Sequence, residues 1–207
     1  NINKVNISLL DIGISNIFSL KTIISALGYD LKIIRSSEEL NRSDKIIFPG
    51  VGSYKSAIEK IRELHLEESL FDNIMIKKKP FLGICVGMQV LSNNGYEMGK
   101  HRGLGFIKGD VKNLKDLGCS FQVPHIGWNH VNIKPNTLTN KINQNSDFYF
   151  IHSYSYHGID NNNIIGTTDY GCKVVAIINK DNIFGTQFHP EKSDKVGLKI
   201  IKNFIKL

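Results

Sequence analysis

The sequence predicts an α/β fold: a central, mostly parallel sheet with helices on both faces and an antiparallel extension. Three observations carry this. In the first half of the 207 residues, short continuous apolar runs alternate with amphipathic stretches, the pattern of strands buried on both faces by helices. In the second half, strand-like runs follow one another almost without helices between them. Neither a repeat nor a low-complexity linker separates the halves, so residues 1–207 read as one domain.

Val5 to Leu10 is the first strand and ends at Asp11-Ile12-Gly13. A helix follows from about Asn16 to Leu27, because Ile17, Leu20, Ile24 and Leu27 share one face of a 3.6-residue period. Gly28 stops it. Leu31 to Ile34 and Ile46 to Phe48 are strands, the latter running into Pro49-Gly50-Val51-Gly52. Ile58, Ile61 and Leu64 mark a helix, and Leu70, Ile74 and Met75 a second helical stretch. Phe81 to Ile84 is a strand, followed by a helix from Val86 to about Leu91. Beyond it the predicted strands are Phe106 to Leu114, Gly127 to Ile133, Phe148 to Ile151, Ile164 to Thr168, Val174 to Ile178 and Ile183 to Phe188. A last helix spans about Asp194 to Ile205.

Composition narrows the function classes. The net charge is +7, from 26 basic and 19 acidic residues. The basic residues are scattered, however, and no basic stripe interleaved with aromatics suggests nucleic acid. No apolar run approaches a membrane span, and Asn1-Ile2-Asn3-Lys4 opens no signal-peptide pattern, so a cytoplasmic protein is expected. Three cysteines, with no Cys-x-x-Cys pair, make a disulfide framework or a zinc knuckle unexpected. The histidines show no convincing metal-ligand spacing, and no cofactor is called for.

The chemistry concentrates at Phe81-Leu82-Gly83-Ile84-Cys85-Val86-Gly87-Met88-Gln89. An apolar strand runs into a cysteine flanked by glycines two before and two after, and a helix follows at once. This is the layout of a nucleophile elbow with Cys in place of Ser. Side chains at the two glycine positions would collide in so tight a turn. The sulfur would stand above the carboxyl edge of the sheet, at a helix N-terminus that favours the thiolate. The Val86 amide would point where an oxyanion forms. A buried structural cysteine in a glycine turn explains the segment equally well when it is read in isolation.

Phe188-His189-Pro190-Glu191 supplies what the elbow lacks. His189, at a strand end, can take the thiol proton and later deliver a proton to a leaving amine. Glu191 can fix the imidazole tautomer. At Pro49-Gly50-Val51-Gly52, glycines let the backbone approach a ligand, and an amide at Val51 or Gly52 is a candidate second oxyanion donor.

Together Gly83-x-Cys85-x-Gly87-x-Gln89 and the distant His189-Pro190-Glu191 resemble the class I, or triad, glutamine amidotransferases. Asp11-x-Gly13-x-x-Asn16, Pro124-His125-Ile126-Gly127-Trp128-Asn129, Phe148-Tyr149-Phe150-Ile151-His152-Ser153-Tyr154 and Gln187 to Ser193 are similar to the glutaminase subunits of imidazole glycerol phosphate synthases. That resemblance implies a flavodoxin-like fold and hydrolysis of glutamine to glutamate and ammonia through a thioester on Cys85. His189 would be the acid/base and Glu191 its orienting partner. Gly50, Gly52, Gln89 and Glu97, with the backbone at Ser153 and Tyr154, would bind glutamine. A (β/α)8-barrel cyclase subunit would receive the ammonia, facing Asn16, Trp128, Asn129 and Lys192. Two other readings stand beside it: a paralogous amidotransferase feeding another acceptor, such as a surface-glycan sugar, and a flavodoxin-like module with a sensor cysteine.

Overall fold

The computed structural model describes residues 5–13, 17–50 and 52–207. In its first half, strands β1 (Ile7–Leu10), β2 (Leu31–Ile34), β3 (Lys45–Gly50) and β4 (Phe81–Cys85) alternate with helices α1 (Phe18–Ala26), α2 (Ser37–Asn41), α3 (Tyr54–Glu63) and α4 (Glu67–Leu70). A π-helical stretch, Phe71–Ile76, continues α4. The short α5 (Val86–Gln89) leaves β4 without a gap. Then come β5 (Asn94–Gly95), β6 (His101–Arg102), β7 (Asp110–Asn113), β8 (His125–Ile133), β9 (Ser146–His152), β10 (Tyr154–His157), β11 (Ile164–Asp169), β12 (Lys173–Lys180), β13 (Ile183–Thr186) and α6 (Asp194–Ile205).

The main sheet has the order β2-β1-β3-β4-β13-β12-β11-β8-β9. From β2 to β13 the neighbours are parallel. From β13 outward every neighbour is antiparallel. The parallel part therefore has the strand order of the flavodoxin-like doubly wound folds, with β13 as its fifth strand. A small second sheet runs β10-β7-β5-β6.

Alternate residues of each parallel strand enter opposite layers. Leu10, Ile46, Phe48 and Phe81 pack with Leu40, Ile58, Ile61 and Leu70 of α2 to α4. Ile7, Leu9, Ile47, Leu82 and Ile84 pack with Leu20 and Ile24 of α1 and Ile200, Ile201 and Phe204 of α6. Fully burying one such side chain contributes about 1.5–3 kcal/mol, against a helix-propensity cost of up to about 0.7 kcal/mol for an isoleucine. Packing therefore holds α6 in place. It also explains Gly197 within that helix: a Cβ there would lie 1.9 Å from the Pro190 carbonyl oxygen. The glycine lets α6 press against the turn that carries His189 and Glu191.

Four details depart from the sequence reading. Helix α2 was not expected, although Ser36 and Glu39 have capping-box spacing; Ser36 Oγ accepts from the Glu39 amide at 3.3 Å. The strand expected over Phe106 to Leu114 shrinks to β7, because Gly109 takes φ +146° and breaks the extended run. Strand β10 was also missed; it follows β9 closely but pairs with β7 in the second sheet. A single disulfide was not foreseen either. Cys119 and Cys172 form one, with Cα atoms 4.6 Å apart, and Cys85 remains free. An odd count excludes full pairing but not a single bridge.

Candidate active site

Cys85 ends β4 with φ 56° and ψ −113°. Side-chain-bearing residues seldom adopt this backbone conformation, and it persists only where the surroundings impose it. Main chain imposes it here. A Cβ on Gly83 would lie 2.4 Å from the Gly87 carbonyl oxygen, and one on Gly87 would lie 2.1 Å from that of Phe48. Gly50 sits opposite Cys85 in the β3–β4 register, and a Cβ there would lie 2.2 Å from Val86 Cγ1. Three glycines thus let two strands and a helix start close around one sulfur. Val86 opens α5, with its amide in the first turn beyond the cysteine.

The second wall comes from β13, which runs parallel to β4 in the register Thr186–Ile84. The chain leaving β13 therefore emerges beside Cys85. The His189 amide donates to Tyr149 O at 3.0 Å, and Ser193 Oγ donates to His189 O at 2.6 Å. His189 Nδ1 bonds Glu191 Oε1 at 2.7 Å, with both side chains buried. His189 Nε2 makes no hydrogen bond among the described residues, and the Cys85 sulfur is near enough to act on the charge of the ring. Burial works to lower the His189 pKa, but the interactions with Cys85 and Glu191 outweigh it and raise the value to about 10. The imidazole thus holds a proton at neutral pH, between a sulfur on one side and a carboxylate on the other.

Cys85 and His189 open into a cleft of about 480 Å³, which Gly52, Gln89, Glu97, Ser153, Tyr154 and Lys192 also line. The structure therefore gathers most of the sequence-predicted residues in one place. Glu97 Oε2 accepts from the Tyr54 amide at 3.0 Å, so its other oxygen is left for the cleft. Val51 and Asn16 lie outside the described residues. Trp128 and Asn129 occupy opposite faces of β8. Trp128 is 50% exposed and packs edge-on against Tyr149, whereas Asn129 turns inward to bond Asp169 O at 2.9 Å.

Sequence reasoning missed other lining groups: Ser53, Pro124, Ile126, Ile151 and His152. Ile126 and Ile151 are register partners across β8 and β9, as are His125 and His152. An antiparallel pairing of the two predicted strands could have revealed both pairs. Gln187 was missed too; its Nε2 lies 3.7 Å from Cys85 Sγ. A wider, more open depression of about 610 Å³, between Phe121, Asn132 and Lys173, contains none of these groups. The smaller cleft is the candidate site because it holds the nucleophile and a proton carrier together.

Comparison with known proteins agrees with this geometry. Residues 8–207 match the family described as Glutamine amidotransferase class-I. The chain is 46% identical to the imidazole glycerol phosphate synthase subunit HisH of Methanocaldococcus jannaschii, over 97% of this chain and 99% of that protein. It is 42% identical to the subunit of the same name from Pelagibacter ubique, over 98% and 100%. Among solved structures, that of PurLQS from Thermotoga maritima superposes with a TM-score of 0.72 at 20% identity, over 98% of both chains. That likeness concerns the fold.

Proposed function

This chain belongs to the class I glutamine amidotransferases, and on that premise we propose how its cleft works as the glutaminase subunit of an imidazole glycerol phosphate synthase. The observation that carries the reading is the meeting of a backbone-strained, free cysteine with a buried, hydrogen-bonded histidine–carboxylate pair in one cleft.

Glutamine enters with its carboxamide over Cys85. Gly50, Gly52 and Gln89 lie along its path, the free oxygen of Glu97 takes its ammonium group, and the backbone at Ser153 and Tyr154 takes its carboxylate end. The sulfur attacks the amide carbon. The resulting oxyanion lies against the Val86 amide and an amide of the Gly50-Val51-Gly52 turn. His189 already holds a proton, so it acts first as an acid: it protonates the departing nitrogen, and ammonia leaves a thioester on Cys85. The neutral imidazole then removes a proton from water, which attacks the thioester, and glutamate is released with the proton back on His189. Glu191 keeps Nδ1 protonated and Nε2 aimed at the reaction throughout.

A subunit of a synthase must deliver ammonia before water protonates it. The acceptor in this reading is a (β/α)8-barrel cyclase subunit of the histidine pathway, and residues 1–207 act as a single glutaminase domain in the cytoplasm. No helix among the described residues is long and apolar enough to cross a membrane. The docking edge runs along the exposed Ile126, Trp128 and Ile151 of β8 and β9, with Lys192 at the cleft mouth; Asn16, outside the described residues, is assigned to the same interface.

The test is glutamate release by the chain purified with its barrel partner. Cys85→Ala should lower the rate at least about a thousandfold, the scale seen when a nucleophile is removed. A wild-type complex that releases no glutamate, or a Cys85→Ala complex that releases it normally, sinks the reading.

A further inference from the structure

Behind the cleft runs a buried file of hydrogen bonds whose direction is fixed at both ends. Tyr154 O is a main-chain carbonyl and can only accept. His152 Nδ1 lies 2.8 Å from it, so that nitrogen carries the hydrogen and Nε2 of the same ring is an acceptor. His125 Nδ1, 2.9 Å from His152 Nε2, must therefore donate. Its own Nε2 accepts from Asn129 Nδ2 at 3.4 Å, and that amide is oriented by its bond to Asp169 O. The His125 ring cannot turn, because it is stacked between Phe150, 4.7 Å away, and Tyr170, 3.9 Å away.

The same carbonyl orients a second pair. Gln89 Nε2 donates to Tyr154 O at 3.1 Å and to Gln187 Oε1 at 3.0 Å. This leaves Gln187, fully buried, with its Nε2 toward Cys85 Sγ at 3.7 Å. A carbonyl, Ile151 O, lies 4.0 Å from the same sulfur. An S–H can donate to that carbonyl; a thiolate cannot, but it can accept from Gln187.

We infer that Gln187 is the hydrogen-bond donor that holds the attacking sulfur, and that Gln89, itself oriented by the Tyr154 carbonyl, is the positioning residue that keeps its amide turned that way. The assignment rests on the glutaminase reading for its kinetic consequences, not for its geometry. Gln89 spends both N–H groups inside this file, so only its carbonyl oxygen can meet glutamine. Were the file mere satisfaction of buried polar groups, removing its last N–H would change stability and leave the sulfur's reactivity alone.

The experiment replaces Gln187 by Met, of similar length and without an N–H, in the full chain. Alkylation of Cys85 by chloroacetamide at pH 7, followed by intact mass and peptide mapping, reads the sulfur without glutamine or partner. The rate should fall about tenfold, as for loss of a donor to a buried anion. In the complex with the barrel partner, kcat should fall by a similar factor while KM for glutamine stays within about twofold. If Gln187→Met melts without cooperativity, Gln187→Leu, also uncharged and without an N–H, takes its place. A folded variant that alkylates and turns over like wild type overturns the assignment. A wild-type complex without glutaminase activity would instead overturn the proposed function, and the alkylation arm would still decide this one.

Discussion

Cys85 and His189 reach one cleft by opposite constructions. Around the cysteine the walls are largely main chain: Gly83 and Gly87 let β3, β4 and α5 touch where a Cβ would lie within 2.4 Å of a carbonyl oxygen, and Gly50 makes room for the Val86 side chain. Around the histidine the support is hydrogen bonding: the Glu191 and Ser193 side chains and the Tyr149 carbonyl hold it. The parallel core fixes a position by excluding volume. The antiparallel side and the turn after β13 fix one by pairing donors with acceptors. The first kind of support should fail on any added atom, and the second only when a donor or acceptor is lost.

Four measurements can break or sharpen that contrast. Glu191→Gln keeps the shape and removes the charge beside His189; kcat for glutamate release should fall about 10²–10⁴-fold, the range for losing the orienting carboxylate of a triad. Gly87→Ala adds one methyl group against the Phe48 carbonyl, and urea denaturation should show a loss of about 1–3 kcal/mol, the usual cost of overpacking. If Gly87→Ala were neutral, the idea of a main-chain wall would be wrong. The third measurement is pH-dependent. His189 has a pKa of about 10 in the fold against an ordinary 6.5, so the folded chain binds this proton more tightly than the unfolded one. The stability it contributes is full below pH 6.5 and fades as pH rises toward 10. The gap in urea midpoint between wild type and His189→Gln should therefore narrow between pH 6.5 and 10. Trp128→Ala should have the smallest effect on the chain itself, within about 0.5 kcal/mol for a half-exposed surface residue, while weakening affinity for the barrel partner in titration calorimetry.

The same contrast explains what the sequence made legible. Glycine pairs flanking a cysteine announce the elbow, since close approach of main chain admits no other residue. Continuous apolar runs announce the parallel strands in the same way. Gln187, His125 and His152 fall within the segments that carry the family resemblance, but no local spacing marks what they do. Each is an ordinary polar residue whose role appears only when β8 and β9 are paired in register and β13 is set beside β4. Helix α2 was hidden by its shortness: five residues are too few for a hydrophobic period. The Cys119–Cys172 bridge joins positions 53 apart in sequence, and no local signal marks such a pair.

The contact between Gly87 and the Phe48 carbonyl has a consequence for how this pocket can change over generations. A niche bounded by side chains can be enlarged or reshaped one codon at a time, by trimming or swapping what projects into it. At the sulfur's back wall there is nothing to trim. Drift there requires the spacing between β3 and the start of α5 to alter as a whole. Mutational libraries aimed at new electrophiles should therefore yield more from the rim at Ile126, Ile151 and Lys192 than from the floor beneath the nucleophile.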